Sequence, residues 1–97
     1  MTAETTLRIA KDFQNVIAIK EASGNITQMD DIIKNKPANF DVISGDDGIT
    51  FPLITLGAVG VISVIGNAFP REFSRMTRLA LQGDFANALT IDRKSVV

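Results

Sequence analysis

A lysine closes an apolar run near the start of the chain, and its type and position could support covalent chemistry. Residues 16–19 read Val-Ile-Ala-Ile, Lys20 follows, and Glu-Ala-Ser-Gly comes next. Moving a charged ammonium out of water costs several kcal/mol unless it is paired or neutralised. A lysine at the mouth of an apolar site can lose its proton and become a nucleophilic amine. The alternative, which this segment alone favours, is a strand-end lysine whose stem reaches solvent.

Few other residues could take part in acid–base, thiol or metal chemistry. The chain contains no histidine, cysteine, tyrosine or tryptophan. This composition excludes a disulfide framework, a thiolate metal site and a histidine base. Asp46 and Asp47 are adjacent carboxylates that follow an apolar segment, and they could bind a cation or cap a helix. Capping is the commoner role for such residues, so we predict helix caps and no metal site.

Composition is typical of a small cytoplasmic domain. The 97 residues suffice for one domain, and a hydrophobic content of 45% suits strands that are buried on both faces. No apolar run reaches the ~18 residues of a membrane span, and no signal sequence opens the chain. The net charge of -1 comes from interspersed signs, with no basic block or aromatic platform for nucleic acid. We therefore expect a cytoplasmic protein with neither a membrane nor a nucleic-acid partner.

Helical and strand patterns alternate along the chain. The predicted strands are short apolar runs at residues 16–20, 40–45 and 60–64. The predicted helices lie at about 3–13, 26–35, 49–56 and 70–82, and from about 85 onwards. Thr2, Asn25 and Asp84 are predicted to cap helices, and Gly57 to end one. Strands that alternate with helices imply parallel pairing through right-handed crossovers, and hence an α/β fold.

The predicted sheet is too small to be complete by itself. Three strands cannot close a barrel, and an open sheet leaves unpaired edges that proteins normally cover. We therefore expect the chain to associate with another polypeptide through an edge strand or through an uncovered face of the sheet.

Three stretches together resemble a known enzyme family. They are IAIKEASGN at 17–25, VISGDDG at 42–48 and GAVGVISVIGN at 57–67. At these spacings they resemble the last three barrel strands of the dihydrodipicolinate synthase family, which groups with the N-acetylneuraminate lyases and other pyruvate-dependent aldolases. The resemblance implies the C-terminal part of a (β/α)8 barrel over residues 1–90, with its chemistry at the carboxyl ends of the strands. Residues 91–97 do not resemble the family, and we expect them to form a separate tail.

The resemblance carries three site residues onto this sequence. Lys20 matches the lysine that forms a Schiff base with pyruvate, so we expect it to be catalytic. Gly45 matches a glycine that lines the pyruvate site, and Ile62 matches a residue whose main-chain carbonyl faces that site. Without the resemblance, Gly45 is interpreted as a glycine that the turn needs, and Ile62 as a buried β-branched residue. Strand alternation points Glu21 away from Lys20, so we expect Glu21 to be structural.

The implied activity is the condensation of pyruvate with aspartate semialdehyde by a Schiff-base lyase, in lysine and diaminopimelate biosynthesis. The resemblance implies no cofactor and no metal, with pyruvate and a small aldehyde as ligands. Family members also use a threonine-rich segment, two tyrosines and an arginine, which lie outside the matching stretches, and this chain contains no tyrosine. We therefore expect the chain alone to be inactive, and its partner to be either another copy in a homo-oligomer or a complementing N-terminal half.

Three other interpretations stay open. A fragment of a sibling aldolase, such as an N-acetylneuraminate lyase, would carry the same lysine. A catalytically incompetent half-barrel could instead associate with another copy through its sheet edges. An anion-binding domain could use the helix N-termini after residues 25 and 48, although the chain lacks a Walker or dinucleotide glycine pattern.

Overall fold

The computed structural model describes residues 1–95, in which helices and strands alternate. The strands are β1 (Ala18–Glu21), β2 (Asp41–Ser44) and β3 (Gly60–Val61). The helices are α1 (Ala3–Asp12), α2 (Ile26–Asn35), α3 (Thr50–Leu56), α4 (Pro70–Leu81) and α5 (Phe85–Ser95), and short 3-10 turns occupy Asp47–Ile49 and Ile65–Asn67. This order confirms the predicted α/β class, while positions 96 and 97 of the predicted tail lie outside the described residues. Within residues 1–95, no helix has the length and apolar character needed to cross a membrane.

The strands form one parallel sheet in the order β1-β2-β3. Lys20 is the register partner of Ile43, and Ile43 is the partner of Gly60. The adjacency and the direction of the strands confirm the predicted topology. In the described part of the chain, the outer sides of β1 and β3 pair with no further strand, so the sheet has two open edges.

Capping residues fix the starts of the first two helices as predicted. The Thr2 hydroxyl accepts a hydrogen bond from the N–H of Thr5 at 3.2 Å, and the Asn25 side chain accepts one from Gln28 at 3.1 Å. Each bond satisfies an N–H group that has no partner within its helix. Gly57 ends α3 with a φ of 127°, a conformation that side chains disfavour.

The observed strands differ from the predicted ones mainly in β3. β1 begins two residues later and ends one residue later than predicted, and β2 is one residue shorter at each end. β3 ends at Val61, although the N–H of Ile62 still donates to the Ser44 carbonyl at 2.8 Å. The chain then turns, because the Ser63 hydroxyl accepts a hydrogen bond from the N–H of Gly66 at 2.8 Å.

The two faces of the sheet differ in what covers them. Glu21, Val42 and Ser44 point to one face and are buried. Helices pack on this side around a core cluster of Met29, Leu53, Ile54, Ala58, Phe73, Met76, Ala80 and Ala88. Lys20 and Ile62 lie on the opposite face, and both are exposed. The helices therefore cover one face and leave the face that carries the lysine open.

Candidate active site

The predicted nucleophile lies near the carboxyl end of β1, on the open face of the sheet. Lys20 is the third residue of this strand, and its side chain is exposed. Across the sheet it is followed by Ile43 and then by Gly60, which share its face. A β-carbon built on Gly60 would meet no atom within 4 Å. The open face is therefore unfilled at Gly60, the last of the three residues that lie side by side across the sheet from Lys20.

Gly45 follows β2 and lies directly against the lysine side chain. A β-carbon built on Gly45 would be 2.8 Å from Cε and 3.0 Å from Cγ of Lys20, and 2.9 Å from Cβ of Ala22. Any other residue would therefore have to displace the lysine stem. The φ of Gly45 is not positive, so the backbone conformation does not require glycine there. The requirement is steric, and it comes from the close approach of the lysine stem and of Cβ of Ala22 rather than from a positive φ.

Ile62 lies one residue past β3, where its N–H continues the ladder by donating to Ser44. In the same way, the N–H of Gly45 donates to the carbonyl of Glu21 at 2.8 Å. Ile62 is 53% exposed, so it is not the buried residue that its type suggests. The structure thus brings Lys20, Gly45 and Ile62 to the same end of three adjacent strands. That the Ile62 carbonyl faces a substrate stays a prediction.

A buried pair of hydroxyls holds the turn after β2. Ser44 Oγ and Thr50 Oγ1 are 3.0 Å apart, and both residues are 0% exposed. Both hydroxyls also lie within hydrogen-bond distance of the Asp46 carbonyl, at 3.0 and 2.9 Å. A buried network with its polar atoms satisfied restricts the backbone around it. It fixes the path from β2 into α3, and with it the position of Gly45.

The two adjacent aspartates of this turn have different partners. Asp46 Oδ1 accepts a hydrogen bond from the N–H of Gly48 at 3.0 Å, which is the predicted cap. Asp47 Oδ2 instead accepts from the N–H groups of Val64 and Ile65, at 3.0 and 2.8 Å. Sequence reasoning missed these bonds, because no local signal marks partners that lie 17 and 18 residues away. Among residues 1–95, no group of three or more acidic, histidine or cysteine side chains could hold a metal ion.

Glu21 is adjacent to the lysine in sequence but lies on the covered face. Its carboxylate is buried and accepts hydrogen bonds from the Ser23 hydroxyl at 2.8 Å and the Gln28 side-chain amide at 3.4 Å. The same amide nitrogen donates to the carbonyl of Met1 at 3.1 Å. These contacts join the end of β1 to α2 and to the first residue, in agreement with the expected structural role.

Lys20 and Lys34 differ in their electrostatic surroundings. Lys34 forms an ion pair with Asp30 at 2.9 Å, and no other pair is found within the described residues. The hydrogen bond to Asp30, and then the charge of that carboxylate, raise the pKa of Lys34. Lys20 has no such partner in the described part of the chain.

The family assignment comes from the match over nearly the whole chain. Residues 1–96 match the family model for the dihydrodipicolinate synthetase family. The chain belongs to this family. The match extends past residue 90, the predicted end of the family resemblance, and α5 runs through this position without a break.

Curated relatives in the dihydrodipicolinate synthetase family are much longer than this chain. The 4-hydroxy-tetrahydrodipicolinate synthase of Phocaeicola vulgatus is 94% identical over 94 residues, which are 97% of this chain and 32% of that protein. The synthase of the same name from Parabacteroides distasonis is 86% identical over 91 residues, or 94% of this chain and 31% of that protein. The chain therefore spans about a third of the length of the curated relatives it matches.

Solved structures from the family share the arrangement of this chain. The dihydrodipicolinate synthase of Aquifex aeolicus has a TM-score of 0.92 and 40% identity, over 96% of this chain and 32% of that one. The enzyme of Cyanidioschyzon merolae, solved with lysine bound, has a TM-score of 0.92 and 37% identity, over 99% of this chain and 33% of that one. The helices and the three parallel strands thus occur together in longer family members.

Proposed function

We propose that this chain supplies the nucleophilic lysine and part of the pyruvate site of a 4-hydroxy-tetrahydrodipicolinate synthase. One observation carries the proposal: the Lys20 side chain packs against Gly45 on the open face, at the carboxyl ends of adjacent strands. Catalytic groups of parallel β/α barrels are found at these strand ends. The family membership and the 94% identity to a synthase favour pyruvate and aspartate semialdehyde as the substrates.

The proposed reaction begins with the uncharged amine of Lys20. Its nitrogen attacks the ketone carbon of pyruvate, and loss of water leaves an iminium between Nζ and that carbon. The iminium withdraws electrons, so the pyruvate methyl group releases a proton and an enamine forms. The enamine carbon adds to the aldehyde carbon, whose oxygen takes up a proton, and hydrolysis of the new iminium releases the product and the lysine. These 97 residues contain no tyrosine to carry the protons.

The chain is proposed to form part of a (β/α)8 barrel, with the open face of its sheet towards the barrel interior. This placement accounts for the exposure of Lys20 and Ile62 on a face that none of the helices within residues 1–95 covers. The order of the three sequence motifs favours the C-terminal part of the barrel over the N-terminal part. The remaining strands, and the threonine, tyrosine and arginine groups of the family, then come from outside these residues. A complementing half that carries these groups is the proposed partner for catalysis. A second copy could cover the open face, but it contains no tyrosine.

A hybrid protein with borohydride trapping tests the proposal. The matching segment of the Phocaeicola vulgatus synthase, 94% identical, is replaced by this chain. We expect the hybrid to condense the two substrates, and pyruvate with borohydride to label Lys20. Lys20→Arg should abolish both results, whereas Lys36→Arg, which alters the residue after α2, should preserve both. Label on another lysine, or an active Lys20→Arg hybrid, would overturn the proposal.

Self-association of a half-barrel without catalysis is the second candidate function, and the open sheet favours it. In residues 1–95, neither edge of the sheet pairs with a further strand, and Ile17 and Ile62 are 64% and 53% exposed. Unpaired edges beside exposed apolar side chains are typical of association surfaces. Light scattering of the 97-residue chain at micromolar concentration should show a dimer or a larger species. A monomer under these conditions would contradict self-association.

A further inference from the structure

We propose that Asp47 is a positioning residue that holds the end of β3 in place relative to Lys20. The inference rests on the proposed function, because the position of this segment matters to a reaction only if the site acts on pyruvate. The carboxylate of Asp47 starts from the turn after β2 and accepts hydrogen bonds from two consecutive N–H groups after β3, those of Val64 and Ile65. It therefore joins the two loops at the carboxyl ends of adjacent strands.

The hydrogen bonds define the position of the Asp47 side chain. Both N–H groups donate to Oδ2, at 3.0 and 2.8 Å. Bonds to an ionised acceptor are roughly twice as strong as bonds between neutral groups. The other oxygen, Oδ1, is buried and has no hydrogen-bond partner among residues 1–95. Burial without a partner is unfavourable, and the two hydrogen bonds to Oδ2 offset this cost.

The bonds act where the strand itself gives little restraint. β3 has two residues, and its ladder continues for one further bond, from Ile62 to Ser44. Val64 follows Ile62 by two residues, and Asp47 follows Gly45 by two residues. Asp47 thus supplies the restraint that a longer β3 would supply. A misplacement of about 1 Å near reacting groups can lower a rate by about 10²-fold, so this restraint bears on the reaction.

A role as an ordinary helix cap does not account for these contacts. The neighbouring Asp46 already accepts the hydrogen bond from Gly48 at the start of the 3-10 turn. Asp47 reaches away from its own turn to a segment 17 residues ahead. The two aspartates therefore form a matched pair for experiment, since they are adjacent and chemically identical but hold different parts of the chain.

Amide hydrogen exchange in the 97-residue chain tests the contact itself. Asp47→Ala should speed exchange at Val64 and Ile65 by at least about tenfold relative to core amides. Asp47→Asn keeps an oxygen acceptor but loses the charge, so its exchange rates should be intermediate. Asp46→Asn should leave the exchange rates of both amides unchanged. Unchanged protection of Val64 and Ile65 in Asp47→Ala would overturn the inference.

Kinetics of the hybrid synthase test the effect on the reaction. The rate is expressed per lysine that pyruvate and borohydride can trap, so that unfolded protein does not contribute. Asp47→Ala should lower kcat by about 10- to 100-fold with a smaller change in KM for pyruvate, and Asp47→Asn should recover part of the loss. A purely structural role would lower Tm but leave the rate per trapped lysine unchanged, and that result would overturn the inference. An inactive unsubstituted hybrid would instead count against the proposed function.

Discussion

Lys20 and Gly45 approach each other so closely that no β-carbon fits between them. The position of such a carbon on Gly45 is 2.8 Å from Cε of the lysine, well inside van der Waals contact. The buried hydroxyls of Ser44 and Thr50 hold the glycine side of this contact in place. The lysine stem therefore occupies the volume that a side chain at position 45 would need.

Gly45→Ala is expected to destabilise the protein and to displace the lysine. The lysine stem can swing away, but Cβ of Ala22, at 2.9 Å from the same position, is fixed to the backbone. Overpacking of this kind costs about 1–3 kcal/mol in the free energy of unfolding. Gly60→Ala is the control, because a β-carbon there meets nothing within 4 Å, and its cost should stay within about 0.5 kcal/mol. Urea unfolding measures both variants, and equal stabilities would contradict the steric explanation.

The chain on its own is expected to be nearly inactive with pyruvate and aspartate semialdehyde. It contains no tyrosine, and Lys20 is exposed on an uncovered face. Orientation of the substrates and proton transfer each raise the rate of such a reaction by factors of about 10² or more. The chain alone lacks the groups for both. Pyruvate with borohydride should accordingly label Lys20 no faster than Lys34 or Lys36. Turnover of about 10 s⁻¹, an ordinary value for an enzyme, would show that groups outside the chain are not needed.

The stability of the chain should depend on the protonation of Asp92. Burial raises the pKa of Asp92, and its Oδ1 is buried without a hydrogen-bond partner among residues 1–95. Because the folded-state pKa is the higher one, the folded state binds more protons, and stability rises as pH falls through that pKa. This gain in stability levels off below the pKa of aspartate in the unfolded chain, which is about 3.9. At neutral pH the ionised carboxylate is destabilising, so Asp92→Asn should raise stability there.

Urea unfolding at neutral and mildly acidic pH measures the effect of Asp92→Asn. The gain at pH 7 should be at most about 1 kcal/mol, since the group is only partly buried, and it should shrink as pH falls. Asp41→Asn removes the same charge from an exposed position, and it controls for the change in net charge. A pH dependence that is identical in wild type and Asp92→Asn would rule out Asp92 as the group responsible.

Ser44→Ala is expected to weaken the turn that positions Gly45. The substitution removes one member of the buried hydroxyl pair and leaves Thr50 with one partner fewer. Loss of a buried hydrogen bond costs about 1–3 kcal/mol. Ser74→Ala removes an exposed hydroxyl that accepts a hydrogen bond from Arg78 at 3.1 Å, and its effect should be within about 0.5 kcal/mol. Thermal unfolding compares the two variants, and similar Tm values would show that the buried pair is not stabilising.

Local signals made the order of the elements predictable. The apolar periodicities of the strands and helices depend on residues close in sequence, as do the caps at Thr2 and Asn25. The end of β3 was not predictable in this way, because apolar residues, interrupted by Ser63, continue to position 65 while the strand stops at Val61. Beyond Val61 the chain turns at Ser63, and the N–H groups of Val64 and Ile65 then bond to Asp47, a contact that exists only after β2 and β3 have paired.

The site was predictable in part and for a different reason. Lys20, Gly45 and Ile62 came from a resemblance to a family, and the residues alone favoured ordinary structural roles for them. Contact between Lys20 and Gly45 depends on strand register, which a sequence does not specify by itself. The alternation of side chains along a strand predicted the face on which Glu21 lies. It did not predict the hydrogen bond from Gln28 to Glu21, because α2 packs against the end of β1 only in the folded chain.

The unequal lengths of the two outer strands make one edge of the sheet a better template for further strands. β1 spans four residues and β3 only two, so a strand that adds to β1 can form more backbone hydrogen bonds. The carbonyls of Ile17 and Glu21 accept hydrogen bonds from the β2 segment, and alternation therefore points the backbone groups of Ala18 and Lys20 outward. Unwanted fibrillar growth during expression would start at this edge. A proline at position 18 would remove an outward N–H group without breaking the bonds to β2, and would make the edge a poorer template.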